Sequence, residues 1–341
     1  MQIKTVPEDF IVVELADHKV SDEGPYLLLE MTKRNLTTEK ALEAIALRLR
    51  IQRKHVGYAG TKDARALTRQ YITVPSSTKQ QVLQCTLSNP AVRLLGHVAE
   101  PLRLGMLTGN RFEIVVRNIC SEKLLVLHTI PNYFDEQRFS KMNAVIGKRL
   151  LKKEFEQAVS AILLTDDTTR MNEYLSSHPN DFVGALRQIP KHVLLLYVHA
   201  YQSMLYNEVL SQYILENDPL SVVVDGPVPM RVPSRDLVSV MIPLLGFGTE
   251  HDPVFSPLYD AILAREGLTM RDFIVRSIPF LTVEGGMRSA FFVVQDLASE
   301  APLVDESGQQ RQLLKFALPK GCYATTAVKC WYRVGRILGG S

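Results

Sequence analysis

Cysteine is scarce in this chain: Cys85, Cys120, Cys322 and Cys330 are the four in 341 residues, and none forms a C-x-x-C pair. A disulfide framework and a thiol–zinc site are excluded as organising features, and a reduced, cytoplasmic protein with small buried thiols is expected. Cys322 and Cys330 can meet only if neighbouring strands carry them. Long apolar runs are lacking as well. No stretch approaches ~20 consecutive apolar residues, so no membrane span is expected. The opening Met-Gln-Ile-Lys-Thr-Val-Pro-Glu-Asp has neither an apolar core nor a cleavage site, which argues against a signal peptide. Charge of one sign is not in excess: the net charge is +3, too small to imply nucleic acid by itself.

The motifs of several chemistries are absent too. Gly57-Tyr58-Ala59-Gly60-Thr61-Lys62 has glycine and lysine, but not at the spacing of a phosphate loop. Gly246-Phe247-Gly248 stops short of a dinucleotide fingerprint. The eight histidines are dispersed, with no H-E-x-x-H and no Cys/His cluster at zinc spacing. No G-x-S-x-G elbow occurs. Any enzyme here is expected to work with ordinary side chains.

What is present is a globular composition, 46% hydrophobic and 22% charged, enough for a sizeable core. Charge is unevenly spread. Residues 51–150 carry 15 Lys+Arg against 6 Asp+Glu, whereas residues 151–250 carry 7 against 12. A basic block beside an acidic one implies two regions with different tasks, and the basic one suits a phosphate backbone. Strands are expected at 8–15, 26–31, 55–59, 68–74, 92–98 and 112–118, with one capped helix over 41–49 after Thr37-Thr38. From about Glu154 the period becomes helical, over 153–164 and 192–215, then 260–267 and 270–276. Residues 218–233 are turn-rich. Strand character returns at 291–295 and 312–318, and is expected again from Tyr323 to Tyr332. The fold class is therefore α+β: one sheet domain interrupted by a mostly helical insertion, with C-terminal strands returning to the first sheet.

One loop stands out. Val56-Gly57-Tyr58-Ala59-Gly60-Thr61-Lys62-Asp63-Ala64-Arg65-Ala66-Leu67-Thr68-Arg69-Gln70 places an acidic residue among Lys62, Arg65 and Arg69, cations that favour an ionised carboxylate. Read alone, it is an exposed hairpin loop with an ion pair. The segment closely resembles the signature of the TruD family of tRNA pseudouridine synthases, in which an Asp follows Gly-x-Lys. Other pieces resemble that family in order along nearly the whole chain. They are Lys4 with Pro7-Glu8-Asp9-Phe10; Gly109-Asn110-Arg111-Phe112; Pro131-Asn132-Tyr133-Phe134 with Glu136-Gln137-Arg138-Phe139; His199-Ala200-Tyr201-Gln202-Ser203; and Phe316 to Thr325. The chain departs at Asp135 and Ser140, where the family usually has Gly; Asp tolerates a positive φ better than most residues. The Tyr-Ala-Gly-Thr-Lys-Asp variant looks closer to the archaeal and eukaryotic branch.

The resemblance implies a pseudouridine synthase-like central sheet with flanking helices. It divides the chain into a discontinuous catalytic domain of residues 1–153 and 287–341 and an insertion domain of residues 154–286. It implies isomerisation of uridine to pseudouridine, at position 13 of tRNA, by a cytoplasmic monomer that needs no cofactor, metal or membrane. Asp63 is implied as the catalytic residue, attacking C1′ or removing the C2′ proton. Phe10, Phe134 and Tyr323 are implied to line the site for a base taken out of the stack. Asn132 has the amide to read a uracil edge, and Lys4 the charge to orient Asp63. Two alternatives stand beside this: a catalytically inactive RNA-binding module of the same fold, and a nucleoside-processing glycosidase. Intact Asp63, Asn132 and Phe134 argue against the first. The basic 51–150 region and the large insertion argue against the second.

Overall fold

In a computed structural model, the described residues are 1–119, 127–165, 168–224, 229–304 and 308–338, without the side chains of 137, 140, 141 and 333–338. Cys120, the Asp225-Gly226-Pro227 turn and the side chain of Ser140 lie outside them. The chain forms two compact units. One comprises Met1–His128 and Val293–Ala324; the other comprises Thr129–Phe292 and Thr325 to Leu338 among the described residues.

In chain order the first unit contains β1 (Phe10–Leu15), β2 (Tyr26–Arg34), α1 (Thr38–Leu49), β3 (Gly57–Tyr58), β4 (Leu67–Pro75), a short α2 (Lys79–Leu83), β5 (Ala91–Val98) and β6 (Gly109–Arg117). The second unit follows with β7 (Thr129–Pro131), α3 (Asn143–Leu151), α4 (Phe155–Leu163), α5 (Thr169–Ser177), α6 (Phe182–Leu186) and α7 (Lys191–Asn217). It continues through β8 (Val222–Val224), β9 (Met230–Val232), β10 (Met241–Leu244), α8 (Ser256–Glu266), β11 (Gly286–Ser289) and β12 (Phe291–Val293). The chain then returns to the first unit with β13 (Gln295–Ser299), β14 (Leu303–Val304) and β15 (Gln310–Pro319), and its last element, α9 (Ala324–Leu338), belongs to the second unit from Thr325.

The first unit is built on one sheet, in the order β13-β15-β6-β1-β4-β2-β5, with β14 on β15 and β3 on β4. The C-terminal strands do return to it, β15 running antiparallel along β6 from Arg311↔Arg117 to Pro319↔Gly109. β1 and β4 are parallel, and their neighbours antiparallel. Alternation decides which face is buried. Leu27, Leu29 and Met31 of β2 join Ile72 and Val74 of β4 under Leu42, Ile45 and Leu49 of α1. That helix starts where expected: the Thr37 side chain accepts from the Lys40 N–H, and Arg50 closes the other end in the left-handed region. Gly109 is required by the sheet itself, since a Cβ there would lie 2.3 Å from the Leu318 carbonyl oxygen.

The second unit is organised around α7, whose 27 residues bury Tyr197, Val198, Tyr201, Leu205, Tyr206 and Val209. α3 packs on it so closely that a Cβ at Gly147 would sit 2.0 Å from the Tyr197 carbonyl oxygen. Three two-stranded ladders, β7–β12, β8–β9 and β10–β11, complete the unit among the described residues.

Four expectations are corrected. Residues 324–338 form helix α9 rather than a strand. The β-branched Thr325, Thr326 and Val328 suggested a strand, but Ala324, Ala327, Val328 and Trp331 recur at helical spacing and are all buried. Cys330 therefore lies on a helix, and no disulfide joins Cys85, Cys322 and Cys330. The strand expected at 55–59 shrinks to Gly57–Tyr58 after a 3₁₀ turn at Arg53–His55, and the helix expected at 270–276 is a 3₁₀ turn at Met270–Phe273. Asp135 is not among the residues with positive φ, so it does not replace a glycine for conformational reasons.

Candidate functional site

The loop between β3 and β4 carries Asp63, and the sheet beneath fixes it residue by residue. Gln70 Nε2 donates to the Gly60 carbonyl at 3.0 Å, and the Lys62 N–H donates to Thr38 Oγ1 of α1 at 2.9 Å. Lys62 turns inward, its ammonium 2.6 Å from Glu14 Oε2 of β1 in a pair closed off from solvent. Lys33, on the buried face of β2, donates to the Asp63 carbonyl oxygen at 2.7 Å and to that of Lys62 at 3.5 Å. Burial pushes the Lys33 ammonium down to about 8; the Asp63 charge opposes this and the Lys62 charge adds to it. A main chain held at three successive points leaves the Asp63 carboxylate with a defined origin.

That carboxylate meets Lys4, whose Nζ lies 2.6 Å from Oδ1; Asp63 keeps 32% of its side chain exposed while Lys4 keeps 12%. The same ammonium sits 4.1 Å above the ring of the buried Phe10. Lys4 has φ of 59°, a left-handed conformation that is uncommon for a lysine and must be imposed by its surroundings. Gln2 and Arg117 exchange backbone hydrogen bonds before it, and Arg65 donates to the Thr5 carbonyl after it. Asp9 then accepts two bonds from Arg117, at 2.7 and 2.9 Å, and caps the Val6 N–H. The structure thus brings Lys4, Phe10 and Asp63 together. The cations expected around Asp63 from sequence go elsewhere: Lys62 to Glu14, Arg65 to a carbonyl, and Arg69 to an exposed position on β4. Tyr323 is half-buried in this unit, two residues beyond Gly321, whose φ is +81°.

Asn132 and Phe134 are brought together in the second unit. The Asn132 side chain is committed on both sides: Nδ2 donates to the Ser289 carbonyl at 2.9 Å, and Oδ1 accepts from Arg288 at 2.6 Å. Arg288 also donates to the Asn132 carbonyl, and its guanidinium lies 4.1 Å over the Phe134 ring. Tyr206 meets that ring edge-on, with centroids 5.4 Å apart. Asn207 holds the Phe134 backbone by two reciprocal bonds of 2.9 Å. Phe134 is buried, so its ring and the Asn132 amide serve first to seat Arg288, which stays partly exposed. Behind them Asp135 accepts from Thr325 and, at 2.8 Å, from Lys329 of α9, which also reaches Glu136 at 2.6 Å. Burial works against an ionised Asp135, but the Lys329 and Thr325 hydrogen bonds outweigh it and hold the carboxyl below its usual range.

Sequence reasoning missed Lys33, Glu14, Arg288, Asn207 and Lys329. For the first two a signal exists: in β2, Leu27, Leu29, Met31 and Lys33 share one face, and in β1 so do Phe10, Val12 and Glu14. For Arg288, Asn207 and Lys329 no local pattern marks the residue.

The chain is similar along almost its whole length to known proteins. The family model described as tRNA pseudouridine synthase D (TruD) matches residues 1–173, 167–236 and 229–330. A tRNA pseudouridine synthase D of Syntrophotalea carbinolica is 30% identical, over 96% of this chain and 94% of that protein. A probable tRNA pseudouridine synthase D of Thermococcus onnurineus is 31% identical, over 96% and 94%. Among solved structures, a putative tRNA pseudouridine synthase D (TruD) from Methanosarcina mazei superposes with a TM-score of 0.72 at 25% identity, covering 97% of this chain and 93% of that one.

Proposed function

Because this chain belongs to the tRNA pseudouridine synthase D (TruD) family, we propose that it isomerises uridine 13 of tRNA to pseudouridine, with Asp63 as the catalytic residue. The observation that carries this reading is the Lys4–Asp63 pair: a partly exposed carboxylate, 2.6 Å from a cation, on a loop held at Gly60, Lys62 and Asp63. Preorganised charge of this kind suits chemistry at a glycosidic carbon.

The reaction breaks the C1′–N1 bond of uridine and makes a C1′–C5 bond. By one route the Asp63 carboxylate attacks C1′ and uracil departs with the N1 electron pair. The base then offers C5 to C1′, Asp63 leaves, and the C5 proton is lost while N1 regains one. By the other route Asp63 removes the C2′ proton as uracil departs with the N1 electron pair, leaving a glycal; C2′ takes the proton back as C5 bonds to C1′, and the C5 proton is then lost while N1 regains one. Both routes need a carboxylate and neither consumes water, an oxidant or an energy source. Tritium or deuterium at C2′ separates them, because a primary isotope effect belongs to the second route alone.

Phe10 backs the Lys4 ammonium that orients Asp63. Asn132 and Phe134 support the guanidinium of Arg288, which has the planar fork to meet a base edge or a phosphate. Tyr323 supplies a further half-buried ring for the extruded nucleotide, and residues 154–286 serve as the insertion domain. The substrate is tRNA, and the protein works as a cytoplasmic monomer without a cofactor. Incubation with unmodified tRNA, followed by mapping of pseudouridine at single-nucleotide resolution, tests the whole proposal. Pseudouridine confined to position 13 is expected; modification only elsewhere refutes the site, and no modification of any tRNA refutes the activity.

A further inference from the structure

Lys33 is an unusual occupant of its position. The alternation of β2 puts it on the face of Leu29 and Met31, where it is fully buried, and its register partner on β4 is the buried, neutral Thr68. An apolar side chain there would extend the core beneath α1. The ammonium instead bonds to main-chain oxygens, those of Asp63 at 2.7 Å and Lys62 at 3.5 Å. The charged groups of the loop facing it are Asp63, itself paired with Lys4, and Lys62, itself paired with Glu14 of β1. From α1 the neighbouring loop contact is the neutral Thr38. Carboxylates are thus used to neutralise Lys4 and Lys62, while Lys33 keeps its charge for the backbone of the loop.

We propose that Lys33 is a positioning residue for the isomerisation: through the main-chain oxygens of Lys62 and Asp63 it fixes the turn that presents the Asp63 carboxylate to the ribose. The inference rests on Asp63 being the catalytic residue. A charged donor holds a carbonyl about twice as strongly as a neutral one. The grip on the loop therefore weakens when Lys33 loses its proton, although the neutral amine keeps two N–H bonds. Its effect belongs on the chemical step, because the ammonium is sealed from solvent and so out of reach of a substrate docked on the surface.

The test is the single-turnover rate on saturating tRNA, measured across pH for the parent and for Lys33→Met, with a thermal melt giving the folded fraction of each. For the parent, a fall of several-fold between pH 7 and 9, centred near 8, is expected. Lys33→Met should lower the rate per folded molecule by about 10- to 100-fold, with half-saturation for tRNA within about threefold of the parent and no descending limb over that range. A flat parent profile overturns the proposal on its own, even if the variant fails to fold. So does a folded Lys33→Met with a normal rate, or one that retains the limb. Asp63→Asn assayed in parallel separates the two readings. An active Asp63→Asn refutes the catalytic assignment, whereas an inactive Asp63→Asn beside a normal Lys33→Met refutes only the role of Lys33.

Discussion

Both compact units bury charge, and they bring it to opposite conditions. In the first, Lys33 is enclosed against carbonyl oxygens, and burial drives its ammonium down to about 8. In the second, burial disfavours the Asp135 anion, but Lys329 and Thr325 overcome it and hold the carboxyl lower than usual. A group driven toward neutrality changes its charge near working pH, while one driven away from it does not. The buried cation of the first unit lies under the loop that carries Asp63, the proposed catalytic residue. The buried anion of the second ties the end of β7's following segment to α9, a joint that only has to hold. The direction of the shift separates the two buried groups, where burial alone would make them look alike.

The strongest way to break this comparison is to remove the charge it is meant to serve. Asp63→Asn keeps size and polarity and should lower turnover by at least about a thousandfold. Affinity for tRNA should stay within several-fold of the parent, since many phosphate and stacking contacts supply it. Near-normal turnover by this variant in a pseudouridine assay would sink the catalytic reading, and a melt must show that it folds. The next largest effect is expected in the second unit and on stability. Lys329→Met leaves Asp135 buried without its cation and should cost about 3–5 kcal/mol in denaturant unfolding. Adding Asp135→Asn should recover part of that loss. If Lys329→Met instead slowed turnover without moving the unfolding midpoint, the joint would be a working part.

How far these roles could be read from the sequence differs between the units. Asp63 and Lys4 lie in short motifs that carry the family resemblance, and the sheet strands follow from alternation, so the fold of the first unit was largely legible. Even there Lys33 and Glu14 escaped notice, because charged residues in strands are ordinarily assigned to solvent. The period of two had placed both on the apolar face. In the second unit Arg288 seats on Phe134 across 154 positions of sequence, and Lys329 reaches Asp135 across 194. Contacts of that range leave no local pattern. Helix α9 was misread because the β-branched Thr325, Thr326 and Val328 were weighed above the helical spacing of Ala324, Ala327, Val328 and Trp331.

A smaller effect sharpens the comparison through pH. Lys33 has its folded value near 8, below the 10.5 of a free lysine, so between these values the unfolded chain binds the extra proton. Stability should therefore rise as pH increases from about 8 to 10.5, by on the order of 3 kcal/mol at most for this group. Asp135 has the opposite sign: its contribution is present above the ordinary carboxyl range and is lost as pH falls through its lowered value. Denaturant unfolding of the parent and of Lys33→Met across pH 7 to 10.5 isolates the first group. An identical pH slope for the two proteins would mean that Lys33 is not the buried titrating cation.

The smallest effect should come from a pair that looks strong on paper. Glu8 and Asp9 are adjacent carboxylates, and each accepts two hydrogen bonds from one arginine: Glu8 from Arg34, Asp9 from Arg117. Both members of the first pair are about half exposed, whereas Asp9 is buried and also caps the Val6 N–H. Water screens the Glu8 pair and can replace either partner, so Glu8→Gln should leave the denaturation midpoint unmoved even though Arg34 holds the Glu8 carboxyl below its ordinary value. Asp9→Asn weakens charge-assisted bonds that water cannot replace, and should cost about 2 kcal/mol. It should also slow turnover, because Arg117 and Asp9 hold the segment that sets Lys4 in its left-handed conformation beside Asp63. Equal midpoint shifts for the two variants would show that charge rather than burial governs this unit, and the contrast between Lys33 and Asp135 would lose its physical basis.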